Sequence, residues 1–361
     1  MLGISIDQKR IFGLDLLRAL AIILIVHGHG AYLLQGTALS GVLAIPLPDT
    51  VDIFFVLTGF LIGSSFLSYA EKYQQVDWGK NLHFYGRSAL RILPNYYFIL
   101  IIYYILVHWQ LINGDTHEFS LWYFITFTQN LFTPFYNFYW ESWTLPVQWW
   151  FYLLFPLLLA LVTPRIKARH AVPVISCLFI LLSLGYRVCV ADHATDPFWW
   201  GVWIRKTVAS RCDSIYIGVL AAWLYTYCPD LWKRHSGKCL IAGLVLLVFL
   251  LVFPRTYGSF YTNVLVLTLS PLAFALCLPS LSGIRSSKTI LGGILSHISI
   301  LSYAMFLVNL MIIQIISANF AETFSHWGAW GYLVYWVLVL MASYLLYILV
   351  EKPFTLLRNR L

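Results

Sequence analysis

Apolar runs of about 20 residues, each long enough to cross a hydrocarbon slab roughly 30 Å thick, recur from Ile11 to Val350 and are separated by short polar connections. The pattern predicts membrane-spanning helices over roughly 11–33, 49–69, 92–109, 143–162, 172–190, 207–227, 239–254, 260–279, 294–316 and 329–350. The expected fold class is therefore all-α, a polytopic integral membrane protein with about ten transmembrane helices. It reads as a single membrane domain over residues 1–361, with no fused soluble domain. The first run carries Asp15, Arg18, His27 and His29 and lacks a small-residue cleavage site. It therefore reads as a retained first helix and not as a signal peptide.

Composition agrees with this. The 361 residues are 60% hydrophobic and only 11% charged, against roughly a quarter charged in an ordinary globular protein. A net charge of +8 would suit nucleic acid if it lay along one soluble face, but the basic residues cluster in short loops between spans, so no nucleic-acid partner is expected. Of the 23 basic residues, Arg18 and Arg211 fall within helices, and Arg187, Arg205, Lys206 and Arg255 fall on one side of the predicted membrane. The remaining seventeen, Lys9 among them, fall on the other, which predicts both termini in the cytoplasm and an even number of spans. Six scattered cysteines without a CxxC pair give no disulfide or zinc framework, and no metal is expected.

The longest predicted outside connection, 110–142, has no Lys or Arg, and its middle, Leu121 to Phe132, is aromatic enough to lie at the membrane interface. Tryptophans 140, 143, 149, 150, 199, 200 and 203 sit near the same predicted boundary. They read first as a belt at the level of the lipid headgroups and second as a platform for stacking sugars.

Ionisable groups inside a membrane cost several kcal/mol unless they are paired or face a wet cavity, so they mark candidate chemistry. Arg18 and His29 are eleven positions apart. That spacing leaves them about 20° apart around a helix and about 16 Å apart along it, on one face. Asp15, one turn before Arg18, is placed to pair with it. His27 points away and reads as a packed or interfacial histidine. An imidazole at His29 suits a general base that takes a proton from an attacking hydroxyl, with a structural hydrogen-bonding role as the alternative. GxSxG, HExxH and P-loop motifs are all absent, which argues against a serine hydrolase, a metalloprotease and an ATP-driven pump. Arg87 and Arg91, at the predicted mouth of the third span, can either hold the phosphates of a nucleotide-bearing donor or serve as ordinary topogenic charges. Arg211 and Asp213 lie close to a predicted helix start, as a buried site pair or as a boundary pair.

The chain resembles the membrane-bound acyltransferase-3 family, whose members O-acylate extracytoplasmic and lipid-linked carbohydrates. Five motifs carry the resemblance over nearly the whole length: LDLLRALAIILIVHGH at 14–29, DIFFVLTGFLI at 52–62, RSALRILPNYY at 87–97, SWTLPVQWWFYLLFP at 142–156 and EKPF at 351–354. There are three departures. The first arginine of the usual RxxR is displaced to Arg87, with Ser88 in its place; Gln148 stands where the family has a glutamate; and Asn309 replaces a histidine common in the ninth helix. An amide keeps a hydrogen bond but cannot act as a base near neutral pH.

The resemblance implies an O-acetyltransferase of the bacterial cytoplasmic (inner) membrane. It would move acetyl from cytoplasmic acetyl-CoA, or another acyl-CoA, to a hydroxyl of an envelope saccharide or lipid-linked glycan. In this reading His29 is the base, Arg18 positions the donor, Gln148 orients the acceptor hydroxyl, and Arg87 and Arg91 hold the CoA phosphates. Asp15, Asp52, Trp143, Tyr152, Arg211 and Asn309 complete the expected substrate-binding set. Membrane lipids surround the protein, and a separate periplasmic acyltransferase is an expected partner, since many family members carry a fused domain of the SGNH hydrolase type. The rival readings are a transporter or flippase, against which the lack of an inverted repeat or matched pair of broken helices in the sequence argues, and a non-catalytic scaffold.

Overall fold

The computed structural model describes residues 10–43, 49–115, 120–133 and 138–360; Lys9 lies outside them. Among the described residues there is no β-strand. The chain runs through α1 (Phe12–Gly30), α2 (Val51–Tyr73), α3 (Trp78–His108), α4 (Thr144–Val162), α5 (Ala168–Val190), α6 (Val208–Tyr227), α7 (Ser236–Val252), α8 (Val266–Leu281), α9 (Ile290–Asn319) and α10 (Ala329–Leu346), joined by short helical turns. Eight of these, with their short helical extensions, are long and apolar enough to cross a membrane. The other two, α6 and α7, fall outside that set, so eight of the ten expected spans have the length and apolarity to cross. α6 carries Arg211 and Asp213 in its first turns, and α7 has 17 residues. The protein is an all-α polytopic membrane protein.

Without a hydrophobic drive between helices in lipid, close packing depends on small residues that let backbones approach. α2 and α6 meet this way: a Cβ at Gly59 would lie 1.9 Å from the Ile215 carbonyl oxygen, and one at Gly218 would lie 2.2 Å from that of Val56. Two ion pairs sit in the same region with no exposed side-chain surface: Arg211 with Asp52 of α2, and Arg187 of α5 with Asp213 of α6 at 2.6 Å. Each such charge costs about 2.5–3.5 kcal/mol at mid-membrane when unpaired, so pairing is what makes the positions tolerable. Arg187, counted above with the charges on one side of the predicted membrane, is thus a fully buried helix residue. Arg211 and Asp213 do not pair with each other; they turn to different neighbouring helices.

α1 and α9 run parallel and are tied at both ends, Asp15 to Ser299 at 2.9 Å and His29 to Asn309. α3 begins well before its predicted start. The Asp77 side chain accepts from the Lys80 amide and caps the helix, so a polar first half including Lys80, Asn81, Arg87 and Arg91 is helical too. A search for apolar runs does not see a helix whose first turns are polar. Arg87 and Arg91 therefore lie one turn apart on the face of a helix and not in a loop mouth.

Candidate active site

Two cavities lie at opposite ends of α1. The larger, about 710 Å³, is lined by Arg10, Arg18, Arg87, Arg91, Lys352 and Arg358, together with Asp15, Glu351, Gln148, Tyr152 and Tyr303. Its acidic groups are committed. Asp15 accepts from Arg10 Nε at 2.8 Å and from Ser299 Oγ at 2.9 Å, and Glu351 accepts from Asn95 Nδ2 at 3.1 Å. Asp15 thus pairs mainly with Arg10, while Arg18 Nη1 stays 3.8 Å from it. Among the described residues Arg87 and Arg91 make no ion pair, so their guanidinium forks are able to meet an anion in the cavity. The Tyr152 hydroxyl lies 3.4 Å from Gln148 Oε1, to which it donates.

The smaller cavity, about 300 Å³, is lined by His29, Asp49, Trp140, Glu141, Trp143, Arg205, Lys206 and Arg255 among others, and shares only Val51 and Phe306 with the larger one. Asn309 fixes the histidine. Its Nδ2 donates to the carbonyls of Met305 and Phe306, both at 2.8 Å, so Oδ1 is the acceptor left for His29 Nδ1. The proton of a neutral His29 therefore sits on Nδ1, and the Nε2 lone pair is free to act as a base. This gives Asn309 a structural role behind the imidazole.

The aromatic connection builds the opposite wall. Tyr139 has a left-handed backbone, φ 37°, and its ring stacks on Tyr103 and Tyr96 at 4.7 and 5.8 Å. That turn presents Trp140 and Glu141 to the cavity. Asn130 Nδ2 donates to the carbonyls of Trp143, at 2.9 Å, and Lys206, tying the start of α4 to the segment before α6. The buried Glu141 lies 3.2 Å from the Tyr103 hydroxyl, whose one proton it shares with Gln314 Oε1. Arg205 clasps Asp49 at 2.9 and 3.1 Å. Burial works to raise the Asp49 carboxyl, but the charges of Arg205 and Arg211 outweigh it and hold it at about 2.

The structure thus brings Arg18, Arg87, Arg91, Asp15, Gln148 and Tyr152 together in one cavity and His29 and Trp143 in the other. Asn309 stands directly behind His29. Asp52 and Arg211 line neither cavity; Arg211 lies 3.8 Å from Asp49 and 5.9 Å from the centre of the Trp143 ring, behind the wall of the smaller one. Asp49, Glu141, Arg205, Lys206 and Arg255 escaped the sequence reading because they lie on connections between spans. The signal available was that Glu141 interrupts a run of aromatic residues and that Arg205 and Lys206 are adjacent on a side otherwise poor in cations. Among the described residues no three of His, Cys, Asp and Glu gather as a metal site.

A family model described as an acyltransferase domain matches residues 11–352. The O-acetyltransferase OatA of Staphylococcus aureus strain NCTC 8325 is 27% identical over 250 residues, 64% of this chain and 37% of that protein. The peptidoglycan O-acetyltransferase OatA of Listeria monocytogenes serovar 1/2a is 26% identical over 267 residues, 68% of this chain and 40% of its own length. The match therefore covers about two fifths of these curated relatives. No solved structure matches the chain.

Proposed function

Because the chain belongs to the acyltransferase domain family, we propose that it is a membrane O-acetyltransferase that joins a donor held in the larger cavity to an acceptor hydroxyl held in the smaller one. The donor is acetyl-CoA. Arg87 and Arg91 engage its phosphates from α3, and Arg18, Tyr152 and Gln148 face the arm that leads to the thioester. With the family's glutamate replaced, Gln148 contributes hydrogen bonds and no charge. The cation-lined end faces the cytoplasm of a bacterial cell, where acyl-CoA is made; the acceptor is an envelope saccharide approaching from the other face.

The observation that carries the reading is the orientation of His29. With Nδ1 committed to Asn309, Nε2 removes the proton of the acceptor hydroxyl as its oxygen attacks the thioester carbonyl. The tetrahedral intermediate collapses, the carbon–sulfur bond breaks, and the imidazolium returns the proton to the CoA thiolate. The products are an acetyl ester and free CoA. Val51 and Phe306 line both cavities, and that shared wall supports passage of the acyl end of the donor between them without its charged phosphates entering hydrocarbon.

The test is transfer of labelled acetyl from acetyl-CoA in membranes carrying the wild type or His29→Ala, with extracted glycans counted. Label that enters glycan with the wild type and not with His29→Ala supports the reading. No transfer above empty membranes, with good expression and host glycans present, overturns it. Paired cavities also describe a permeation path, and wild-type label crossing sealed vesicles without ester formation would favour transport.

A further inference from the structure

The smaller cavity carries more cationic chemistry than proton transfer to a neutral sugar requires. Asp49 is neutralised by Arg205 and backed by Arg211, and Glu141, which makes no ion pair among the described residues, lies beside the Tyr103 hydroxyl that also meets Gln314. Lys206 and Arg255 are left over: neither makes an ion pair among the described residues. Lys206 is the more telling, since only 6% of its surface is exposed. Its ammonium lies 3.2 Å from the centre of the Trp140 ring, a contact that softens the loss of hydration without cancelling the charge. A buried, unpaired ammonium is costly, and such a group is commonly retained where a ligand supplies the missing partner. Burial, with Arg205 beside it, holds Lys206 down at about 6, so an anion seated against it restores the ammonium form and binds with uptake of a proton.

Trp140 and Trp143 are the second half of the site. Both line the cavity, Trp140 with the Lys206 ammonium over its ring, so together they give a bound sugar an apolar wall while His29 addresses a hydroxyl. A volume of about 300 Å³ lies at the low end of small-molecule sites, which run to about 1,000 Å³. It suits one substituted ring at a time.

From the unpaired cations and the aromatic wall together, we infer that this cavity selects an acidic saccharide, one whose carboxylate or phosphate lies against Lys206 and Arg255 while its hydroxyl faces His29 Nε2. The inference deepens the acyltransferase reading and rests on it for the role of the bound sugar, but its test is binding alone. The full chain, purified in detergent, is titrated with glucuronate, glucose 6-phosphate and glucose, and binding is followed by saturation-transfer NMR.

The expected result is that at least one anionic sugar binds about tenfold or more tightly than glucose, the gain of one charge-assisted contact. That preference falls to near equality in Lys206→Gln and in the half-buried Arg255→Gln, and survives in Lys206→Arg. The order of glucuronate and glucose 6-phosphate then tells a carboxylate acceptor from a phosphate-bearing one. Equal binding of all three sugars by the wild type overturns the inference, as does a preference that both glutamine variants leave intact, because the anion then sits elsewhere. Selective binding without acetyl transfer would keep the site and overturn the acyltransferase reading; transfer to neutral sugars without selectivity would do the reverse.

Discussion

The two cavities are charged in different ways. In the larger, the guanidiniums of Arg18, Arg87 and Arg91 project from the long helices α1 and α3, and the acidic groups are satisfied by neighbours. In the smaller, His29 comes from the body of α1, Trp140 and Glu141 come from the turn that leads into α4, and Arg205, Lys206, Arg255 and Asp49 come from connections between the long helices. Helix-borne charge suits a ligand that never changes, such as a nucleotide donor. Connection-borne charge lets a family keep one reaction and vary its acceptor, because loops accept substitution without disturbing the spans.

The comparison breaks most decisively at His29. His29→Ala removes the proposed base while leaving the larger cavity whole, and transfer should fall about 10²–10⁴-fold, the usual share of general base catalysis. KM for acetyl-CoA should stay near the wild-type value, since the donor's charges are met elsewhere. Steady-state kinetics in membranes, with both substrates varied, would show the split. A large rise in KM for the donor would mean that His29 belongs to the donor site and that the division of labour is wrong.

The complementary change is Arg87→Ala with Arg91→Ala. Losing two forks that face a phosphate ligand should raise KM for acetyl-CoA about ten- to a hundredfold while kcat falls less. Sugar binding at the other end should not move. Between these two in kind and smaller than both is Asn309→Ala. It leaves the imidazole in place but removes the partner that fixes its tautomer, so kcat should fall about tenfold with both KM values little changed, while Asn309→Gln should do no better because the longer amide misplaces Oδ1's replacement. If Asn309→Ala retained full activity, the tautomer of His29 would be set by something else.

The same contrast explains what could be read beforehand. Spans, overall class and the Arg18–His29 face follow from apolar runs and helical spacing, which are properties of a single helix. The helix over 78–91 was missed because its first turns are polar and its cap, Asp77, is one acidic residue among several. Arg187 was misplaced because a buried arginine and a boundary arginine look alike until Asp213 is found 2.6 Å away. The smaller cavity was illegible for a deeper reason. Its wall joins residues 49, 140–143, 205–206 and 255, segments distant in sequence that meet through Asn130 on the carbonyls of Trp143 and Lys206, Arg205 on Asp49 and Lys206 on Trp140.

The smallest expected effect separates a charged acceptor site from a merely polar one. In the free protein the Lys206 ammonium is held down to about 6, first by burial and then by Arg205. An anionic sugar favours the charged form, so binding takes up a proton and raises that value. Affinity for the anion should therefore be greatest below about pH 6 and should fall as pH rises through and above it, by several-fold between pH 6 and 7. Glucose should show no such slope. The groups facing Lys206 in this cavity are Arg205, Arg255, Asp49, Glu141 and His29; the guanidiniums stay charged throughout, Asp49 stays a carboxylate, and Glu141 and His29 are common to every variant. Lys206→Arg keeps a cation at all these pH values, so its slope should flatten while its affinity at pH 7 equals or exceeds that of the wild type. A wild-type slope that persists unchanged in Lys206→Arg would assign the titration to His29 or Glu141 and leave Lys206 as a packing residue under Trp140.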